Sequence, residues 1–185
     1  MVVLVVPDPS LVLLVGAAGA GKSTLAARLF APDEILSSDA LRAVVRGDEA
    51  DQSATRVAFR ILHRTLDRRL RAGALSVIDA TNALPAHRSA PLRQARQLGI
   101  PVVAIVLDLP ADVIHAQNAA RGRVVDPIVI DRQLEAVRST VDAGWLEREG
   151  IEQIVVLRTA AEAASLWVER RAIAASADRR AEAGP

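Results

Sequence analysis

Eight residues, GAAGAGKS from Gly16 to Ser23, set an ammonium and a hydroxyl side by side after a glycine-studded turn. Their spacing is G-x-x-x-x-G-K-S, and each residue type answers a need of a phosphate chain. Gly16, Gly19 and Gly21, with Ala17, Ala18 and Ala20 between them, let successive backbone N–H groups converge on a phosphate with no bulky side chain in the way. Lys22 brings a compact charge between β- and γ-phosphates, and Ser23 brings a hydroxyl for Mg²⁺. Thr24 follows in the first turn of a helix whose positive dipole end faces the same anion. Lys22 is also the sole lysine of the chain; every other one of its 23 Lys+Arg residues is arginine. Phosphate binding is therefore the first expectation, with ATP and Mg²⁺ as the group held. The motif alone does not separate kinases from ATPases, GTPases or switches.

The acceptor side has three candidate blocks. In ILSSDALR, a short apolar run ends at Asp39, and Arg42 lies three residues on, along the same helical face. A carboxylate at a strand end can take the proton of an attacking hydroxyl, and an arginine beside it can clamp an anionic group of the acceptor. Spacing alone leaves the plainer reading equally open: Asp39 caps its helix and Arg42 pairs with it. In LSVIDATN, Asp79 closes an apolar run. It is either an acid on the metal side of the loop, acting through water or Ser23, or a strand-end cap bonded to Thr81 or Asn82. In QNAARGRVV, Arg121 and Arg123 follow a helix. They are either lid cations that close over a transferring phosphoryl group or an ordinary arginine-rich helix end.

The elements that would carry these blocks alternate in type. Apolar runs at 2–6, 11–15, 35–37, 75–79, 101–110 and 153–157 read as strands. Between them, helical spacing marks segments from Lys22, at 39–46, 54–72, 85–99, 111–120 and 128–142, and from the last strand to about Ala175. This alternation predicts an α/β fold, a parallel P-loop NTPase-type sheet with helices on both faces and a helical lid at about 111–128. One domain over 1–172 is expected, with a disordered tail at 173–185. In the helix at 54–72, Arg60, Arg64, Arg68 and Arg71 read as a solvated face, and Trp145 and Trp167 read as packing anchors. His63, His87 and His115 have no ligand spacing.

Composition narrows the field. The 185 residues suffice for one core, and a net charge of +1 gives no global basic field for gripping a polyanion. Aromatic residues make up 2%, so the usual stacking platform for single strands is missing. The chain has no cysteine, which excludes disulfides, thiolate metal sites and cysteine nucleophiles and agrees with a reducing compartment. The apolar start MVVLVVPDPS has no basic region and meets Pro7 early, so no signal peptide, membrane span or membrane partner is expected, and the location read is cytoplasmic.

The order SSDALR, the acidic loop GDEADQS, VIDATN and the arginine-bearing lid resembles the bacterial polynucleotide 5′-kinase domain of RNA-repair enzymes, from about Val3 to Arg171. The resemblance implies transfer of the ATP γ-phosphate to the 5′-OH end of DNA or RNA. It implies Asp39 as general base, and Arg42 on the phosphate next to the reacting hydroxyl. It implies Arg121 and Arg123 on the donor. The family usually presents three lid arginines, and Gln117 stands where the first would fall, implying either a weaker hold on ATP or an amide contact to phosphate or base. Related domains are often fused to phosphatase or ligase modules, so an end-healing or ligase partner would be a separate chain. Two other functions stay open: a kinase for a nucleoside, sugar or antibiotic, and an ATP-binding switch that transfers nothing.

Overall fold

The computed structural model describes residues 2–45, 52–122 and 124–173. Arg123, most of the acidic loop read at 47–53, and the tail beyond 173 lie outside them. The chain opens with β1 (Val2–Asp8) and β2 (Leu11–Gly16), then α1 (Lys22–Leu29), β3 (Ile35–Ser37), α2 (Ser38–Val45) and α3 (Gln52–Arg71). It continues through β4 (Ser76–Asp79), α4 (Pro85–Gln97), β5 (Val102–Leu107), α5 (Ala111–Ala119) and α6 (Pro127–Asp142). A short α7 (Trp145–Arg148), β6 (Gln153–Leu157), α8 (Ala160–Ser165) and β7 (Leu166–Ala172) complete the described part.

Five strands form one sheet in the order β3-β4-β2-β5-β6, and every pairing in it is parallel. The strands are apolar on both sides because both sides are covered. Val12 and Leu14 of β2 face a cluster with Leu25 and Ala26 of α1 and Leu134 of α6. Leu11, Leu13 and Val15 face the other cluster, with Leu62, Leu66 and Leu70 of α3 and Leu92 of α4. On α3, Ala58 is buried as well, whereas Val57 and Ile61 are 39% and 38% exposed. Local signals set the helix starts. Asp126 accepts a hydrogen bond from the Ile128 amide at 2.8 Å with Pro127 following, and Thr159 and Glu162 cap α8 reciprocally.

The end of the chain departs from the sequence expectation. The helix expected to run to about Ala175 stops at Ser165, and LWVERRA becomes β7, paired in parallel with β1 as a separate two-stranded sheet. The reason is a period of two too short to stand out after the alanine-rich AEAAS. Leu166 and Val168 turn inward with Leu4 and Val6, while Trp167 and Val3 turn outward. Trp167 is thus 63% exposed and Trp145 41% exposed, and neither is the packing anchor expected of it. Arg28 of α1 holds this junction, donating to the carbonyls of Leu166 at 2.9 Å and Ala163 at 2.6 Å. No described helix is long and apolar enough to cross a membrane.

Candidate active site

All five strands of the main sheet point their carboxyl ends to one side, the side where open α/β sheets gather ligands. Register sets the site's geometry. Leu14 of β2 pairs with Asp79 of β4, and Asp79 pairs with Ser37 of β3, so three strand ends lie side by side. From them leave the glycine loop, the segment after Asp79, and α2 with Asp39.

The loop is shaped as its residue types require. Gly19 and Gly21 take φ of 84° and 86°, in the left-handed region that glycine adopts without strain. A methyl group on Gly19 would also fall 3.1 Å from the Ile114 carbonyl oxygen and 3.3 Å from Asn118 Cβ, so the loop packs directly on α5. Lys22 is buried, and its ammonium donates to the carbonyls of Gly16 at 2.9 Å and Ala17 at 2.8 Å. Burial pushes its pKa down to about 8; Asp79 opposes the shift and Arg121 adds to it. The last effect places the lid arginine within electrostatic reach of the loop lysine.

Ser23 donates its hydroxyl to Asp79 at 2.7 Å. Asp79 is buried and faces the loop, not Thr81 or Asn82, so the strand-end-cap alternative does not hold. Instead Thr81 accepts the Gly16 amide through its carbonyl at 3.0 Å, and Asn82, at φ 47°, donates to the Leu14 carbonyl at 2.8 Å. Asp39 and Arg42 form an ion pair on α2. No capping bond by Asp39 accompanies it among the described residues; the Ala40 amide donates to Ser37 at 3.3 Å.

One cavity of about 800 Å³ joins these parts. Its wall includes the glycine loop with Lys22 and Ser23, the Asp39–Arg42 pair, Asp79, and Gln117 and Arg121 of the lid. Of the residues singled out from sequence, Arg123 falls outside the described set; Gly16 and Ala17 lie just behind the wall, and the rest meet there. The segment between α5 and α6 is held by Asn118, whose side-chain amide donates to the Val125 carbonyl at 2.8 Å and accepts the Val125 amide at 3.0 Å. Across the lid, His115 contacts Asp131 at 2.8 Å.

Three contributors escaped the sequence reading. Gln133 of α6 accepts the Ala18 amide at 2.7 Å and lines the cavity. Ala160, Ala163 and Ala164 of α8 give the cavity a small-residue apolar wall. Arg88 of α4, fully buried, braces the segment after Asp79 through the carbonyls of Asn82 and Ala83. The arginine face of α3 is exposed as expected, with Arg71 paired to Asp67 at 2.8 Å. Arg56, Arg60 and Arg64 flank a second, shallower groove with Phe59 and Gln94.

A family model described as an AAA domain matches residues 11–144. No curated protein matches the sequence. Among solved structures, a chain of the Pnkp1/Rnl/Hen1 RNA repair complex is 20% identical with a TM-score of 0.65, covering 75% of this chain and 47% of that one. This chain thus spans about half the length of that neighbour. A sugar kinase from Janibacter sp. HTCC2649 is 23% identical with a TM-score of 0.55, covering 81% of this chain and 85% of that one. A tunicamycin resistance protein of Deinococcus radiodurans is 15% identical with a TM-score of 0.53, covering 77% and 96%. At these identities the structural likeness establishes the fold, and the family match spans well over half of the sequence. The chain belongs to the AAA domain family and has the P-loop kinase fold, a nucleotide-binding fold whose glycine loop is built to take ATP.

Proposed function

We propose that this chain is an ATP-dependent polynucleotide 5′-hydroxyl kinase. The observation that supports the reading is one cavity lined together by the Asp39–Arg42 pair, the glycine loop and Arg121. Asp39 accepts the proton of the 5′-hydroxyl as its oxygen bonds to the γ-phosphorus. The bond from that phosphorus to the β,γ-bridging oxygen breaks, and ADP leaves. Arg42 holds the phosphate adjoining the reacting hydroxyl, which orients the acceptor. Lys22, seated on the Gly16 and Ala17 carbonyls, offers its remaining donor to the β- and γ-phosphates, and Arg121 meets the charge that builds on the transferred group. Arg123, which lies outside the described residues, is proposed for the same role, and Gln117 supplies an amide at the cavity wall. The alanine wall of α8 offers an apolar face to the purine.

Ser23 and Asp79 suit Mg²⁺, a hard cation that takes one or two protein oxygens and completes its shell with water and phosphate. Among the described residues no group of three or more ligating side chains is present, so a protein cage is not the design. Mg²⁺ held by Ser23 and Asp79 would supply charge neutralisation to the phosphate chain. Related assemblies support a separate end-healing or ligase partner: the neighbour with a TM-score of 0.65 comes from an RNA repair complex.

One observation favours a second reading, a kinase for a small hydroxylated acceptor. The fold is also similar, with a TM-score of 0.55, to that of a structure described as a sugar kinase. Arg42 decides between them. The polynucleotide reading predicts that a dinucleotide with one phosphodiester is phosphorylated with a far lower KM than a nucleoside. Arg42→Ala should then raise that KM by about 10-fold or more, the loss of a charged hydrogen-bonded contact. A nucleoside or sugar used as well as the dinucleotide, with Arg42→Ala indifferent, favours the small acceptor.

Lys22 gives a pH signature. Its pKa of about 8 in this structure means the ammonium loses its proton as pH rises past 8, whereas a triphosphate holds it protonated. Proton uptake on nucleotide binding should climb from about half a proton at pH 8 toward one near pH 9, with affinity falling toward about tenfold per pH unit beyond that. Calorimetry in two buffers of different ionisation enthalpy checks this; affinity flat to pH 9.5 contradicts it.

A further inference from the structure

The loop's third residue is not simply presented to a ligand. The peptide unit between Ala17 and Ala18 is engaged on both of its polar atoms: its carbonyl takes the Lys22 ammonium at 2.8 Å, and its N–H donates to Gln133 Oε1 at 2.7 Å. Carbonyl and amide of one trans peptide point in opposite directions. Gln133 and Lys22 therefore fix a single orientation of that plane, and a flip would break both contacts. The partner is remote in sequence, on α6 just after the lid. There Gln133 is half-buried, one residue before Leu134 and three after Ile130, both buried. Packing of α6 into the core thus fixes where the carboxamide sits.

Gln133 uses one oxygen on the loop, which leaves its Nε2 amino group with two donors. It lines the same cavity as Lys22 and Arg121. Lys22 is the loop's contact between β- and γ-phosphates, and the α1 amides serve the phosphates nearer the nucleoside. Gln133 holds the opposite polar atom of the peptide unit that Lys22 contacts, and it does so from α6, across the cavity wall shared with Arg121. We infer that Gln133 is a specificity-determining residue for the γ-phosphate. Its Oε1 holds the Ala17–Ala18 peptide for Lys22, and its Nε2 donates to the terminal phosphoryl group, so that the site distinguishes ATP from ADP. This deepens the kinase reading on its donor side only and asks nothing of the acceptor.

The test is equilibrium binding of ATP and of ADP with Mg²⁺, without acceptor, for the full chain and for Gln133→Met and Gln133→Glu. Methionine fills a similar volume with neither donor nor acceptor. Glutamate keeps an acceptor for the Ala18 amide but has no donor and adds a negative charge. We expect ADP affinity to hold in Gln133→Glu, which keeps the acceptor for the Ala18 amide and so reports an intact loop, whereas Gln133→Met, which loses it, should weaken both nucleotides but ATP more. ATP affinity should fall by about tenfold or more in Gln133→Met, the loss of one hydrogen bond to a charged group, and further in Gln133→Glu. Equal losses for ATP and ADP would make Gln133 a packing residue and overturn the inference. So would a Gln133→Glu variant with the wild-type ratio of ATP to ADP affinity. Because no acceptor is present, either result stands apart from whether a polynucleotide is phosphorylated.

Discussion

Replacing Arg88 with leucine should destabilise the protein by about 3–5 kcal/mol, the cost of stripping one partner from a buried ion pair. Arg88 has no exposed surface. Its Nε and Nη2 form a bidentate pair with Glu149 at 2.6 and 2.9 Å, and its Nη1 donates to the carbonyls of Asn82 at 2.6 Å and Ala83 at 3.0 Å. Leucine would leave a largely buried carboxylate and two carbonyls to face an apolar side chain; Thr140, which donates to Ala83 at 2.6 Å, would cover only one of them. Lysine should not rescue, because a single ammonium cannot reproduce a planar fork that meets three acceptor groups. Urea unfolding would read the effect as a lower midpoint with an unchanged slope. A loss below about 1 kcal/mol, the scale of an exposed pair, would contradict the assignment. The brace also serves the site: Asn82 reaches the Leu14 carbonyl and Thr81 receives the Gly16 amide, so loosening this segment loosens the start of the phosphate loop.

The second large effect falls on Asp39. Asparagine keeps the size of the side chain but cannot take a proton at neutral pH. Phosphoryl transfer by Asp39→Asn should drop by about 10²–10⁴-fold, the range for losing a positioned general base. Nucleotide binding should be unchanged, because the glycine loop, Lys22 and Ser23 are untouched. Single-turnover transfer with saturating ATP, beside a direct binding measurement, separates the two quantities. Transfer within a few-fold of wild type would return Asp39 to the plainer role of an ion-pair partner for Arg42.

The difference between what could be read from the sequence and what could not lies in how each feature is encoded. The phosphate loop, Asp39 with Arg42, and Asp79 sit in contiguous motifs at strand ends, so local spacing carries them, and the parallel sheet follows from alternating apolar runs. Gln133 and Arg88 act through contacts 115 and 61 residues away in sequence. No local pattern marks Gln133, and Arg88 is hidden among the arginines of a chain that uses that residue for nearly every cation. β7 was missed for another reason: a strand of seven residues with one buried and one half-buried apolar position gives too little alternation to outweigh the helix-forming residues before it. The tryptophans misled because size suggested packing, while the pleat of β7 turns Trp167 outward. The bond of the Asn118 amide across seven residues to Val125 has no local sequence pattern to announce it either.

The most direct test of the central claim is transfer of label from γ-labelled ATP, with Mg²⁺, to 5′-OH DNA and RNA oligonucleotides, run with wild type and Asp39→Ala together. The account predicts label on the 5′ end of at least one strand type, lost with Asp39→Ala. No label on either strand by a protein that still binds ATP would contradict it and move the acceptor to a small hydroxylated molecule.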